Sequence, residues 1–270
     1  MVASEEHQDL FACFERLATE VFAEAESGAT PSGRERRLWR LPKNVVYYYH
    51  NVITREDMAR VRPLVEKLRH RAVELINELP ERAEARARLA ELARSAQERF
   101  TFHPWSMGDL ELFVSYLDNA AMWAHIPEDY PEPLTLEMAA TLIEASNEAP
   151  RHHEVHAVRW NGDVIGQVRL QFDSSPSPDS AELSYWLAQP YWNRGLTTDF
   201  VTLYTYESFR THPKIGRIFA QVLEGNDSSI RVLEKAGYRQ ESFEYHNVEK
   251  HGRKLSTHVF SVYDSDYLVG

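Results

Sequence analysis

The chain has 270 residues, 43% hydrophobic and 26% charged, a balance that excludes a disordered chain and fits one large domain or two smaller ones. Its single cysteine, Cys13, excludes an intrachain disulfide and a multi-cysteine zinc site, and favours a reducing compartment. A net charge of −11 repels phosphate backbones at long range, so nucleic-acid binding is not expected and cationic partners are favoured.

The segment MVASEEHQDL carries glutamates where a signal peptide needs basic residues and then an apolar run, and no stretch approaches the roughly 18 apolar residues of a membrane span. A cytoplasmic protein without a membrane partner is therefore expected. From residue 6 to 26, Leu10, Phe14, Leu17, Val21 and Ala25 form one helical stripe, which Ser27, Gly28 and Pro31 end. The β-branched and aromatic run from Asn44 to His50 suits a short strand. Thr54 and Asp57 then resemble a helix cap, and Met58, Val61, Val65, Leu68, Ala72, Leu75 and Leu79 step by three and four as a heptad seam. Pro80 breaks it, and a second helix to about Arg99 places Ala85, Leu89, Leu92 and Ala96 on one face, giving a helical hairpin. The seam packs within the chain, or serves as a homodimer interface or a substrate-facing lid.

At Phe100 the rhythm changes. Ser106 and Asp109 are expected to cap a helix over 107–118, and Thr135 to start another ending before Pro150. Strands follow over 154–160 and 164–172, joined by Asn161-Gly162, a strong hairpin signal. After a Ser/Pro/Asp loop at 174–180 come a strand at 181–187, a helix from Gly195 to about Phe209, a strand at 215–223, a short helix at 227–236 and two strands near 239–248 and 254–263. The layout is α+β with a mixed sheet.

Two segments carry the chemistry. The first runs Ala181-Glu-Leu-Ser-Tyr-Trp-Leu-Ala-Gln-Pro-Tyr-Trp-Asn-Arg-Gly-Leu-Thr-Thr-Asp199. It joins a strand to a helix through a loop whose amides, backed by the helix N-terminus, can bind a pyrophosphate; Gly195 allows close approach and Arg194 adds positive charge. It resembles the acyl-CoA-binding motif of the GNAT superfamily of N-acetyltransferases, especially its RimJ/RimL-like branch. The second, Glu224-Gly-Asn-Asp-Ser-Ser-Ile-Arg-Val-Leu-Glu-Lys-Ala-Gly-Tyr238, resembles the strand-loop-helix element that follows in that family. The resemblance covers about residues 100–265. It implies a GNAT-like mixed β-sheet flanked by helices over 99–270; the apolar periodicity before it gives a mainly helical N-terminal region over 1–98, which the resemblance does not reach.

The same resemblance implies acetyl-CoA as co-substrate, held by Leu187, Trp192, Asn193, Arg194, Gly195, Leu196, Thr197, Thr198 and Asn226, and a primary-amine acceptor. The favoured acceptor is an α-amino group of a protein or peptide. A small-molecule amine, such as an antibiotic or amino-acid conjugate, is the alternative, and a non-catalytic acyl-CoA-binding or protein-interaction module is a third reading. Because an ammonium cannot attack a thioester, deprotonation at pH 7 costs about 1.4 kcal/mol for an α-amine of pKa near 8 and about 4.6 kcal/mol for a lysine. Glu182 corresponds to a family glutamate proposed as base, acting directly or through water, or is an ordinary strand carboxylate. Ser229 corresponds to a hydroxyl near the CoA sulfur, or satisfies a backbone amide in the first helical turn. Asn226 contacts the cofactor, caps the helix, or does both. Asn193 and Thr197 replace the family's small residues, and Leu233 stands where many relatives have a general-acid tyrosine. His152, His153 and His156 lack the helical spacing of a zinc site, so no metal is expected. Trp186, Tyr191 and Trp192 are either core residues or walls of the pocket.

Overall fold

The computed structural model describes residues 80–148, 152–172 and 179–268; the expected elements at 6–26, 44–50 and 58–79 lie outside them. The chain divides into two compact units, Met1–Ala85 and Arg86–Gly270. No helix among the described residues is long and apolar enough to cross a membrane.

The elements run α1 (Pro80–Gln97), β1 (Phe100–His103), α2 (Leu110–Leu117), α3 (Ala120–Trp123), α4 (Leu136–Asn147), β2 (His153–Trp160), β3 (Asp163–Gln171), β4 (Ser180–Leu187), α5 (Leu196–Thr211), β5 (Arg217–Leu223), α6 (Asp227–Lys235), β6 (Arg239–Lys250) and β7 (Arg253–Tyr263). The strands form one seven-stranded mixed sheet in the order β1-β2-β3-β4-β5-β7-β6, antiparallel except between β4 and β5. The expected α+β class and its flanking helices are borne out. Asn161 and Gly162 both have positive φ, 51° and 96°, as a two-residue hairpin turn of the primed type requires. Thr135 caps α4 by accepting a hydrogen bond from the Met138 N–H at 3.2 Å. Ser106 and Asp109 form a capping box, but over a single 3-10 turn, so the regular helix starts at Leu110. Strand β1 and the one-turn α3 were not anticipated.

Alternation along the strands divides the core in two. Ile165, Val168 and Leu170 of β3 and Ala181 and Leu183 of β4 meet Phe200, Leu203 and Tyr204 of α5 on one face. Val155, Ala157 and Val164 face Trp105, Phe113, Ala139 and Ile143 on the other, beneath α2 and α4. Each fully buried Leu, Ile or Phe contributes about 1.5–3 kcal/mol relative to exposure, so the helices are held on both faces by apolar contact.

Leu89, Ala93 and Ala96 of α1 belong to the first of these clusters. Gly237, just past α6, has φ of 84°, and a Cβ there would meet Leu89 Cδ1 at 2.7 Å. The glycine thus supplies both the left-handed turn that ends α6 and the space that Leu89 fills.

The parallel pairing of β4 with β5 is short: only Ser180↔Arg217, Ala181↔Ile218 and Glu182↔Phe219 are in register. Beyond Glu182 the strands part. At the far end of the sheet, Lys250 of β6, only 7% exposed, donates through Nζ to the carbonyls of Ile126 and Glu128 at 2.8 and 2.6 Å. The neighbouring His251 N–H donates to Asp129 at 3.1 Å. The loop after α3 is thereby clasped to the β6–β7 hairpin.

Candidate active site

Where β4 and β5 separate, a cleft of about 1920 Å³ opens, with Leu183–Leu187 on one side and Ala220–Leu223 on the other. It reaches the loop before α5, the first turns of α6, and α4 on the opposite face of the sheet. Of the residues singled out above, Glu182, Ser229, Leu187, Trp192, Asn193, Arg194, Gly195, Thr197, Thr198 and Asn226 all line it. Leu196 is the exception, because its side chain, 5% exposed, turns into the core. Its N–H still belongs to the loop.

That loop is held by its own side chains. Trp192 Nε1 donates to the Leu187 carbonyl at 2.5 Å, and the Arg194 guanidinium lies 5.7 Å from the Tyr191 ring centroid. Gly195, the N-cap of α5, has φ of 77°, and nothing lies within 4 Å of the position a Cβ would take. Asn193 is also left-handed, with φ of 61°. Asparagine is one of the few non-glycine residues at ease there. The helix ladder begins with Thr198 N–H donating to the Gly195 carbonyl, and the amides from Asn193 to Thr197 donate to no described residue. Successive unpaired amides at a helix N-terminus form a concave donor array suited to phosphate oxygens.

Across the cleft, Asn226 caps α6: its Oδ1 accepts from the Ser229 N–H at 3.1 Å. This satisfies a first-turn amide and anchors Ser229, whose side chain is half-buried at the cleft wall. Tyr185, not singled out from the sequence, donates its hydroxyl to the Ser229 carbonyl at 3.4 Å. Burial pushes its pKa upward, so it stays protonated and able to donate. Leu233 is fully buried in the core.

Glu182 lies at the last register pair before the strands part, half-buried, beside Gln171 of β3. Gln171 pairs in turn with His153 of β2, so His153, Gln171 and Glu182 form a row across one face of the sheet. His153 Nε2 is 3.2 Å from the Ala145 carbonyl of α4, whereas His156 turns to the other face, its Nδ1 3.2 Å from the Tyr204 hydroxyl. The two histidines therefore do not converge. The next row holds Val155, Arg169 and Ser184. The half-buried Arg169 guanidinium also lines the cleft and donates to Gln171 Oε1, and it forms no ion pair with a described residue. Trp186 stacks on Trp105 at 6.0 Å while reaching the cleft, and is both core and wall. Trp192 is 37% exposed at the cleft, and Tyr191 packs against the core.

Comparison with solved structures finds the same architecture over more than half of the chain. A Microcin C7 self-immunity acetyltransferase, in complex with acetyl-CoA and AMP, is 14% identical, with a TM-score of 0.56 over 62% of this chain and 94% of that one. RimJ of Mycobacterium smegmatis, in complex with CoA-disulfide, is 19% identical, with a TM-score of 0.56 over 61% of this chain and 81% of that one. A spermidine N-acetyltransferase from Vibrio cholerae, in complex with CoA and spermine, is 16% identical, with a TM-score of 0.54 over 63% of this chain and 98% of that one. No curated protein matches the sequence. The model of the acetyltransferase (GNAT) domain matches residues 99–239, which span both motif segments, β4 and the walls of the cleft; the chain belongs to the GNAT acetyltransferase family.

Proposed function

We propose that the chain transfers the acetyl group of acetyl-CoA to a primary amine in a ternary complex, the favoured acceptor being an α-amino group of a protein or peptide. The observation that carries this reading is the parting of β4 and β5 at Glu182, which brings the unpaired amide array of Asn193–Thr197, Ser229 and a carboxylate to one cleft. The amides and Arg194 hold the pyrophosphate, with Leu187, Trp192, Thr197, Thr198 and Asn226 shaping the walls around the cofactor. Glu182 takes the ammonium proton, directly or through water. The amine nitrogen then attacks the thioester carbonyl, the C–N bond forms, the C–S bond breaks, and the second proton leaves the nitrogen for the departing sulfur, giving the amide and the CoA thiol. Ser229, with Tyr185 behind its turn, supports the departing thiolate.

An α-amine suits a single carboxylate base, because it needs about 3 kcal/mol less help to deprotonate than a lysine side chain. The test is the pH profile of kcat/KM for Glu182→Gln beside the parent. The rate falls about 10²- to 10⁴-fold at neutral pH, as for loss of a general base, and partly recovers at high pH, while acetyl-CoA affinity holds. Superimposable profiles would remove Glu182 from this role. Failure of every amine to release CoA from a protein that binds acetyl-CoA would leave a binding module instead.

A further inference from the structure

The acceptor half of the cleft carries chemistry that the transfer reaction alone does not require. Its floor is the sheet face on which Arg169 and Glu182 are diagonal neighbours across the antiparallel β3–β4 pair, a relationship that spaces them about 7–8 Å apart. One is a cation without a carboxylate partner among the described residues, on a floor otherwise built from Val155, Gln171 and Ser184. A half-buried guanidinium retains unmet hydrogen-bonding capacity and calls for an oxygen acceptor from a ligand. The α4 wall of the cleft carries an apolar stretch. Met138 and Leu142, one helical turn apart on α4, remain 41% and 44% exposed, yet both line the cleft. Two adjacent large apolar side chains left open where they line a cleft form an apolar surface that a ligand can cover.

Resting on the reading that this cleft performs amine acetylation, we infer that the acceptor is an α-aminoacyl unit with an apolar side chain. Its amine lies at Glu182, its adjacent carbonyl or carboxylate oxygen accepts from Arg169, and its side chain packs on Met138 and Leu142. The three contacts match the three substituents of one α-carbon. A polyamine fits poorly, because its second cation meets Arg169 and it has no oxygen to offer. An acidic first residue fits poorly too, because it carries a charge to the Met138–Leu142 wall.

The experiment measures CoA release from four acceptors: Leu-Ala-amide, Asp-Ala-amide, isoamylamine, which keeps the leucine side chain but lacks the carbonyl, and spermidine. Leu-Ala-amide is expected to exceed Asp-Ala-amide about 10- to 100-fold in kcat/KM, the scale of burying one aliphatic side chain. Arg169→Met is expected to lower the ratio of Leu-Ala-amide to isoamylamine about 10- to 100-fold, the scale of a charge-assisted hydrogen bond. Acetyl-CoA binding by that variant reports that it is folded. Leu142→Asp, on an exposed helix position, reduces the preference for leucine over aspartate. A preference for spermidine over Leu-Ala-amide, or an unchanged ratio in Arg169→Met that still binds acetyl-CoA, overturns the inference while leaving acetyl transfer intact. If all four amines fail in the parent protein, the acetylation reading fails first and this assignment with it.

Discussion

Replacing Gly195 with alanine, asparagine and aspartate separates what the loop does for folding from what it does for the cofactor. The backbone there has φ of 77°, and a Cβ would touch nothing within 4 Å, so the first atom of a new side chain meets no neighbour in the protein itself. Alanine pays only the left-handed penalty of about 1–2 kcal/mol. For a folded unit of this size that lowers Tm by about 2–8 °C, since 1 kcal/mol shifts Tm by about 2–4 °C. Asparagine and aspartate tolerate the left-handed region better and lose less. Acetyl-CoA affinity behaves differently. In the proposed complex a phosphate approaches the Asn193–Thr197 amides through the space beside Gly195, and displacing one charge-assisted hydrogen bond costs about 1.5–3 kcal/mol, about 10- to 100-fold in Kd. Aspartate adds like-charge repulsion of about 4 kcal/mol at 4 Å with an effective dielectric of about 20, so Gly195→Asp binds at least about 100-fold more weakly than Gly195→Asn. Calorimetric titration with acetyl-CoA, beside thermal melts, reads both quantities. Wild-type affinity in the aspartate variant, with a Tm in the stated range, would refute the placement of the pyrophosphate.

Lys250→Met removes two ammonium–carbonyl bonds from a side chain only 7% exposed, and is expected to cost about 3 kcal/mol or more and to raise KM for the acceptor more than that for acetyl-CoA; steady-state kinetics with either substrate varied checks the split. Leu89→Ala opens a cavity over Gly237 and is expected to cost about 2–5 kcal/mol in denaturant unfolding; an unaffected midpoint would place α1 outside the unit that contains the sheet. Burial holds the pKa of His156 below its ordinary 6.5, with Glu154 opposing and His103 adding to the shift. The unfolded chain therefore binds the proton first, and the contribution of this group to stability is full above about pH 6.5 and lost as pH falls toward the folded pKa. His156→Gln is expected to flatten that part of the stability profile, measured by denaturant unfolding at pH 7.5 and 5.5.

The readable parts of the fold were those with a local signature. The Asn161-Gly162 turn demands two positive φ values, and Gly195 and Gly237 mark left-handed helix boundaries, so the hairpin, α5 and α6 fell within a few residues of their expected limits. Strand β1 had no such mark: Phe100–His103 is four residues long and becomes a strand only by pairing with Ala157–Trp160, sixty residues away in the register Phe100↔Trp160. The loop before α5 and the first turn of α6, which line the cleft, lie on two contiguous segments and were legible for that reason. Arg169 and the Met138–Leu142 wall were not, because they come from β3 and α4 and are unremarkable among their sequence neighbours, whereas Glu182, inside the first motif segment, was named from the resemblance. Leu196 shows the limit of reading a loop as a block, since its side chain turns into the core while its neighbours on both sides line the cleft.

The short β4–β5 pairing also sets a lever. Glu182 sits at its apex, and Leu187 lies five residues further along β4, about 16 Å at 3.3 Å per residue. A rotation of the two half-sheets by about 4° about that apex moves the Leu187 end by about 1 Å and leaves the carboxylate almost in place. The Lys250 clasp joins the two halves well away from the apex, where such a rotation would be largest. In the proposed reaction the pivot would carry the base, so a change in cleft width that strained the Lys250 clasp would leave the carboxylate almost in place.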